Sequence, residues 1–556
     1  MANEENLGTR MGPAVRRIFK LLSLDKKDIY DIYIFSIFAG LVSLSLPLGI
    51  QSIIGFVMAA SMSDSIIVLV FLVVLGTFLN GLLQIRQLQL IEKIEQKIFV
   101  RYALEYGSRI PKLDISVLES YYLPELVNRF FDITTLQKSL RKILIDIPAA
   151  VIQVVLGTIL LAFYHPLFIA FGIILLFFII LILRFTSNNG FKTSLETSDY
   201  KYKIGAWFEE IARGVKTFKF AQKTSLNIEK TDDLLKGYLK ARTSHFKVLE
   251  IQYWSLIMFK LLITAAMLIL GVTLLVDQEI NIGQFIAADI VILSIISSVE
   301  KLVNSMDQVY ESLTAVEKLN KVAEAKLEEF GKLKLSSKYS GIAIDFENVN
   351  FSYDNHNDVL TDINLSIKSG EWVAIMGASG SGKTSFLRLL TGAFREFTGK
   401  VLIDGIPIKN YDQSTIRSKT GIFLSKQDLF KGTLLENISI GSPLIKIDEI
   451  LEVAKITGLL KIIQDFDKGL ETIIDPEANK FSQEIKHKIL LNRALIGENK
   501  LLLLENPFVF FTAVQKKELM NFLRKKSLTL ISTCVDEEGL DGFDRVVRIE
   551  NGKIMK

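Results

Sequence analysis

A single cysteine, Cys534, occurs in 556 residues. That excludes an intrachain disulfide framework and fits a soluble part kept in a reducing compartment. Charge of one sign is also scarce in excess: 65 basic against 61 acidic residues leave a net +4, too slight to be the footprint of a nucleic-acid partner. Neither an internal repeat nor a low-complexity tract is present. Arg16, Arg17, Lys20, Lys26 and Lys27 precede the first apolar run, but that run is long and has no small-residue cleavage pattern. It reads as a retained span rather than a removed signal peptide.

What the chain has in plenty is apolar residue, 49% of the total, concentrated in its first part. A span needs about 20 mostly apolar residues. Six candidates meet this, at residues 32–58, 66–83, 144–164, 167–185, 256–276 and 282–303. The connections after the first, third and fifth are short and carry no Lys or Arg. The other two are long and basic, with Arg86, Lys93, Lys97, Arg101 and Arg129 in one and Lys192, Lys201, Lys203, Arg213, Lys216 and Lys219 in the other. The positive-inside rule puts both long loops, and both termini, in the cytoplasm.

The long loops are expected to be helical. Residues 84–98 space apolar positions at helical intervals with charges between them, so the spans should continue well beyond the bilayer. Each must then reverse, with short helices expected at 121–132 and 206–217. Residues 15–24 suggest an amphipathic helix at the interface, or a solvated arm. Within the spans, Lys260 lies near a cytoplasmic end and is expected to snorkel. Asp289 is deeper, and is expected to hold a polar contact between helices or to line a path.

The second part of the chain has the mixed composition of a soluble α/β domain. Gly377-Ala-Ser-Gly-Ser-Gly-Lys-Thr384 follows an apolar strand, 371–376, and precedes a helix-like stretch, 385–390. That strand–loop–helix setting separates a phosphate-binding loop from a chance Gly/Ser turn. Gly377, Ser379, Gly380, Ser381 and Gly382 let backbone N–H groups converge on phosphate, and a helix N-terminus adds positive potential. Lys383 is placed for the β/γ-phosphates, Thr384 for Mg²⁺, and Ser385 opens the helix.

Around this loop stand the strand-like 343–353 ending in Phe351-Ser-Tyr353, then 400–406, then Thr420-Gly-Ile-Phe-Leu-Ser-Lys-Gln-Asp-Leu-Phe430 and Gly432-Thr-Leu-Leu-Glu-Asn-Ile438. Their order and spacing resemble the nucleotide-binding domain of ATP-binding-cassette (ABC) transporters, and the apolar part resembles the six-span domain of ABC exporters. Ser45-Leu-Pro-Leu-Gly-Ile50 and Ile282-Gly-Gln-Phe-Ile-Ala287 are most similar to bacterial haemolysin-type (type I secretion) exporters, with no room for a peptidase domain ahead of the first span. The resemblance implies a multi-domain chain: an all-α six-span transmembrane domain followed by an α/β P-loop nucleotide-binding domain. The expected divisions are an arm or interfacial helix at 1–30, the membrane domain at 31–303, a linker at 304–342 and the nucleotide domain at 343–556. It further implies that Tyr353 stacks on adenine and that Gln427 senses Mg²⁺ and γ-phosphate. The ligands are then ATP and Mg²⁺, the metal being held by Thr384, Gln427 and Glu505.

Downstream the chain departs from the family. The signature Leu-Ser-Gly-Gly-Gln is matched by Phe481-Ser-Gln-Glu-Ile485, so Gln483 and Glu484 stand where glycines admit the partner's γ-phosphate. The Walker B strand, 501–504, ends in Glu505-Asn506-Pro507-Phe508 instead of Asp-Glu-Pro-Thr. Glu505 retains a carboxylate, but Asn506 replaces the general base, a loss that ordinarily slows a reaction by about 10²–10⁴-fold. Residues 509–512 lack the Ser-Ala-Leu-Asp loop, and Cys534 occupies the place of the switch histidine, where it reads as a small buried filler.

These losses fall on hydrolysis and closure while the binding elements survive. The resemblance then implies a half-transporter of the bacterial inner membrane, working as a homodimer or heterodimer, that binds MgATP and hydrolyses it weakly or not at all. Its cargo would be a secreted polypeptide, passed to a periplasmic adaptor and outer-membrane channel. The alternative is a regulatory or assembly membrane protein for which ATP is a structural ligand.

Overall fold

The computed structural model describes residues 11–58, 64–115, 123–221, 224–329, 331–335, 341–353, 358–425, 427–476, 481–534 and 540–555; within 171–186 it describes the backbone and some of the side chains. The chain forms two compact units, Met1–Leu327 and Glu328–Lys556.

The first unit is helical: α1 Met11–Leu22, α2 Lys26–Ser43, α3 Ser45–Met58, α4 Asp64–Arg109, α5 Leu123–Asn128, α6 Asp132–Arg141, α7 Ile147–Tyr164, α8 Leu167–Arg213, α9 Val215–Phe220, α10 Leu226–Val276, α11 Ile282–Asn304 and α12 Met306–Ala323. Five stretches of it, among the described residues, are long and apolar enough to cross a membrane. The fourth expected span, 167–185, opens the 47-residue α8. At 1.5 Å per residue, α4, α8 and α10 each reach about 70 Å or more, over twice a bilayer's ~30 Å core. The spans do continue as helices.

Two local expectations change along these helices. The first span is two helices, because Pro47 has no N–H for the carbonyl of Ser43 and its ring crowds that carbonyl. The chain breaks at Leu44, whose N–H turns to Leu41 O at 3.2 Å. The two pieces then pack closely on α4: a Cβ on Gly49 would lie 2.2 Å from Val73, and one on Gly76 2.4 Å from Ser45. The second reversal is later than 206–217, since α8 runs on to Arg213 and ends at Gly214 before the short α9. Trp207 Nε1 donates to Thr231 Oγ1 at 3.1 Å and so ties α8 to α10 where a turn was expected. The first window, 121–132, is helical in its described part, as α5 and the turn Arg129–Phe131; residues 121 and 122 lie outside the described residues.

α1 buries Ala14, Ile18 and Leu22 in the same apolar cluster as Tyr102, Tyr106, Leu313 and Val316. Arg17 pairs with Glu317 on α12 and with Glu324 just past its end. Residues 306–323, expected as part of a linker, form α12 and belong to this unit, since Tyr310, Leu313, Val316, Leu319 and Val322 are buried. Lys318 on α12 has no exposed surface and pairs with Asp199. Burial pulls its pKa down against the opposing pull of Asp199. Breaking such a pair costs about 3–5 kcal/mol. Within the spans, Lys260 Nζ meets Glu300 at 2.7 Å, tying α10 to α11. Asp289 is half-buried on α11, and its side chain has no hydrogen bond or ion pair among the described residues, so the expected contact between helices is not made.

The second unit holds two larger sheets and one short two-stranded pair. Its strands are β1 Ile344–Ser352, β2 Asp358–Ile367, β3 Trp372–Met376, β4 Phe397–Ile403, β5 Ile406–Pro407, β6 Thr420–Phe423, β7 Gly432–Thr433, β8 Ile473–Ile474, β9 Leu501–Glu505, β10 Thr529–Thr533, β11 Arg545–Glu550 and β12 Lys553–Ile554. One sheet has the order β2-β1-β4-β5 and the other β12-β11-β3-β10-β9-β6, while β7 pairs with β8. In the six-stranded sheet all pairs are parallel except β11 with β12. Every residue of β3, β9 and β10 is buried, as expected for parallel strands covered on both faces. Their carboxyl ends therefore gather the loops after β3, β6, β9 and β10 at one edge, where such sheets bind ligands.

Candidate nucleotide site and membrane chamber

The loop 377–382 leaves β3 and enters the helix Lys383–Leu390. Its glycines are required by geometry. Gly377 has φ +151°, and a Cβ there would lie 2.1 Å from Ile549 O; Gly382 has φ +104° with Leu360 and Val359 O within 3.0 Å. The Ser381 hydroxyl is buried without a hydrogen-bond partner among the described residues. A buried hydroxyl left open costs about 1–3 kcal/mol, and a phosphate oxygen would satisfy it. Ser379 and Gly380 are exposed at the rim. Lys383 Nζ lies over the loop, donating to Gly377 O at 2.6 Å and Ala378 O at 2.7 Å. Burial lowers its pKa, with Glu505 acting the other way. The cradle fits a polyphosphate.

The residues expected beside it divide. The Tyr353 hydroxyl meets Ser385 Oγ at 2.9 Å and accepts from Arg388 Nη1 at 3.1 Å, fixing the ring to the P-loop helix. Phe351 and Phe394 touch it edge-on, at centroid separations of 4.8 and 5.6 Å. The Thr384 hydroxyl donates to Glu505, and the other Glu505 oxygen accepts the Ser425 N–H at 2.7 Å. Gln427 does not join them: its amide donates to Ile422 O at 3.2 Å and accepts from Leu424 N at 3.3 Å. Of the three candidate metal ligands, two meet each other and the third folds back onto the end of β6 and the residue after it.

The positions expected to serve hydrolysis are taken up by structural bonds. Asn506 has φ +48°, a left-handed conformation that Asn tolerates better than most residues. Its side-chain oxygen accepts from Thr533 Oγ1 at 3.1 Å, and its N–H donates to Thr533 O at 3.2 Å. Cys534 is buried, its N–H on Ile375 O at 3.1 Å, and burial pushes the thiol pKa up. A protonated, enclosed thiol is a filler. In the signature segment Ser482 caps the helix Gln483–Leu495. The Glu484 carboxylate turns back to Lys488 at 2.5 Å, so part of the charge expected to oppose phosphate is neutralised within the helix.

Two features had no signal in the sequence. His487 Nε2 lies 2.9 Å from Pro507 O, between the rings of Phe423 and Phe510. Only the tertiary fold brings it to the residue after Asn506. In the membrane unit, a chamber of about 520 Å³ opens between helices α2, α3, α4, α7 and α11. Ser43 Oγ donates to Gln153 Oε1 at 2.7 Å, and Gln153 Nε2 to Ser294 Oγ at 3.0 Å. Gln87 Nε2 donates to Ser36 Oγ at 2.9 Å. Its polar lining is spread over separate helices, with Thr77, Asn80, Gln84 and Gln87 on α4 and Ser294, Ser297, Ser298 and Lys301 on α11, and only packing brings them to one chamber.

Comparison with known proteins follows the same division. Residues 31–299 match the ABC transporter transmembrane region and residues 360–509 match the ABC transporter domain. The chain is 22% identical over 538 residues to the lactococcin-A transport/processing ATP-binding protein LcnC of Lactococcus lactis subsp. lactis, covering 96% of this chain and 75% of that one. It is 28% identical over 291 residues to the alpha-hemolysin translocation ATP-binding protein HlyB of Escherichia coli, covering 52% and 41%. A solved bacterial Atm1-family ABC exporter with ATP bound superposes with TM-score 0.86 at 17% identity, over 96% of this chain and 94% of that one.

Proposed function

The chain belongs to the ABC exporters, with the transmembrane region and the nucleotide-binding domain on one polypeptide, and from that premise we propose that it grips ATP to gate export while hydrolysing it slowly or not at all. The observation that carries this is Asn506. An amide bonded to Thr533 stands where the family's general base polarises water, and an amide cannot take that proton. The grip rests on Lys383, the loop glycines and the open Ser381 hydroxyl, with Tyr353 as the platform for the base. Arg388 covers one face of that ring at 5.9 Å, which leaves the other for adenine.

The working unit is a dimer. Ile228, Leu235, Leu239 and Phe246 are exposed along α10, in the part beyond the expected span. Their spacing of seven, four and seven residues makes one helical stripe that needs cover. Whether the cover is a second copy or a different half-transporter sets the sites: both faces of this cassette are altered, so either pairing turns over slowly. We place it in the bacterial inner membrane with both termini cytoplasmic. A secreted polypeptide is the cargo, by likeness to relatives named for lactococcin transport and alpha-hemolysin translocation, with a periplasmic adaptor and outer-membrane channel as further partners. The polar chamber favours transport over a purely regulatory role, since an apolar bundle would serve the latter.

The test is movement of a labelled polypeptide into inside-out vesicles containing the protein, with mass measurement of the detergent-purified complex. ATP-dependent uptake supports the proposal. Uptake that ignores nucleotide across a panel of candidate cargoes favours the regulatory alternative.

A further inference from the structure

We propose that this cassette holds its nucleotide without relying on Mg²⁺, because Glu505 and Thr384 have closed the metal position into a contact of their own. This rests on the ATP-holding function proposed above. Mg²⁺ demands near-octahedral oxygen ligands at roughly 2.0–2.1 Å and keeps several of its waters, so it needs both free donors and room. Here the Thr384 hydroxyl is committed to Glu505. The second Glu505 oxygen is held by the Ser425 N–H at 2.7 Å, and the Gln427 amide is bonded at both ends, to Ile422 O on β6 and to the Leu424 N–H.

The chemistry of position 505 explains the closure. A glutamate extends about 1.5 Å further than the family's aspartate, one carbon–carbon bond. Its backbone cannot retreat, being paired in register to Thr533 on β10, with Leu504 paired to Phe423 on β6. The added length therefore projects towards the P-loop and spans the gap that a hydrated cation would fill. Nor does the carboxylate need a metal ion to be tolerated there. It is 8% exposed, accepts hydrogen bonds from Thr384 and Ser425 on its two oxygens, and feels the Lys383 ammonium. Such charge-assisted bonds stabilise a buried carboxylate. Phosphate is then gripped by the loop N–H groups, Ser381 and Lys383 alone.

The experiment is a titration of the full chain in detergent with trinitrophenyl-ATP, once with excess Mg²⁺ and once with EDTA, on the wild type and on Glu505→Asp. The wild-type dissociation constants are expected to agree within about threefold, while Glu505→Asp, which reopens the gap, tightens by about tenfold or more when Mg²⁺ is added. A wild type that itself tightens tenfold or more with Mg²⁺ overturns the inference alone, and that comparison stands without the variant. Absence of binding in both buffers overturns the ATP-holding function and this inference with it.

Discussion

The loop after β3 and the loop after β9 leave the same edge of one parallel sheet, separated by β10, and they have kept different chemistry. After β3 the backbone is shaped for a ligand: left-handed glycines, an ammonium over the loop, and a buried serine hydroxyl without a partner among the described residues. After β9 the equivalent groups are satisfied from within. Asn506 is bonded to Thr533, Glu505 to Thr384 and Ser425, and the neighbouring Cys534 is enclosed. One loop is unsatisfied without a ligand and the other is complete without one. On the function proposed above, such a pocket would spend its binding energy on the ground state and offer little to the transition state, pairing tight binding with slow turnover.

Restoring the second loop should break the contrast most sharply. Asn506→Glu combined with Cys534→His is expected to raise phosphate release by about 10²-fold, the lower part of the range for a general base. A flat rate would move the fault to Gln483 and Glu484. Damaging the first loop has the next largest effect. Lys383→Ala removes a charge-assisted contact, ordinarily about 1.5–3 kcal/mol, so nucleotide affinity should fall by roughly 10- to 100-fold. Equilibrium titration checks it, and unchanged affinity would place the grip elsewhere.

The smallest effect is on pH. Burial holds the His487 imidazole below its ordinary value, against the opposing bond to Pro507 O. The folded state therefore binds fewer protons than the unfolded state. This contribution to stability is complete above about pH 6.5 and is lost as pH falls below it. Thermal unfolding in detergent should show a Tm that drops between about pH 7.5 and 5.5, and His487→Gln should flatten that slope. A slope unchanged by the substitution would remove His487 from the account.

The contrast was legible in the sequence because each loop is contiguous. Gly377 to Thr384 states its spacing within eight residues, and Asn506 and Cys534 follow apolar strands that fix their positions. Basic asymmetry and apolar length likewise marked the membrane helices. What the sequence hid was pairing at a distance. Nothing local shows that Glu505 reaches Thr384 or that Lys318 meets Asp199. The polar chamber was missed for the same reason, since Ser43, Gln153 and Ser294 sit on three different helices. Pro47 was legible in principle: the break at Leu44 follows from its missing N–H, but the apolar run around it masked the kink.

The central claim is tested most directly by loading the purified full chain with radiolabelled ATP and following, in one preparation, retained nucleotide and released phosphate. Retention near one nucleotide per chain, with phosphate release about 10²-fold or more below that of an exporter with an intact base, is the outcome this account predicts. Release at the intact exporter's rate, or no retained nucleotide, would contradict it.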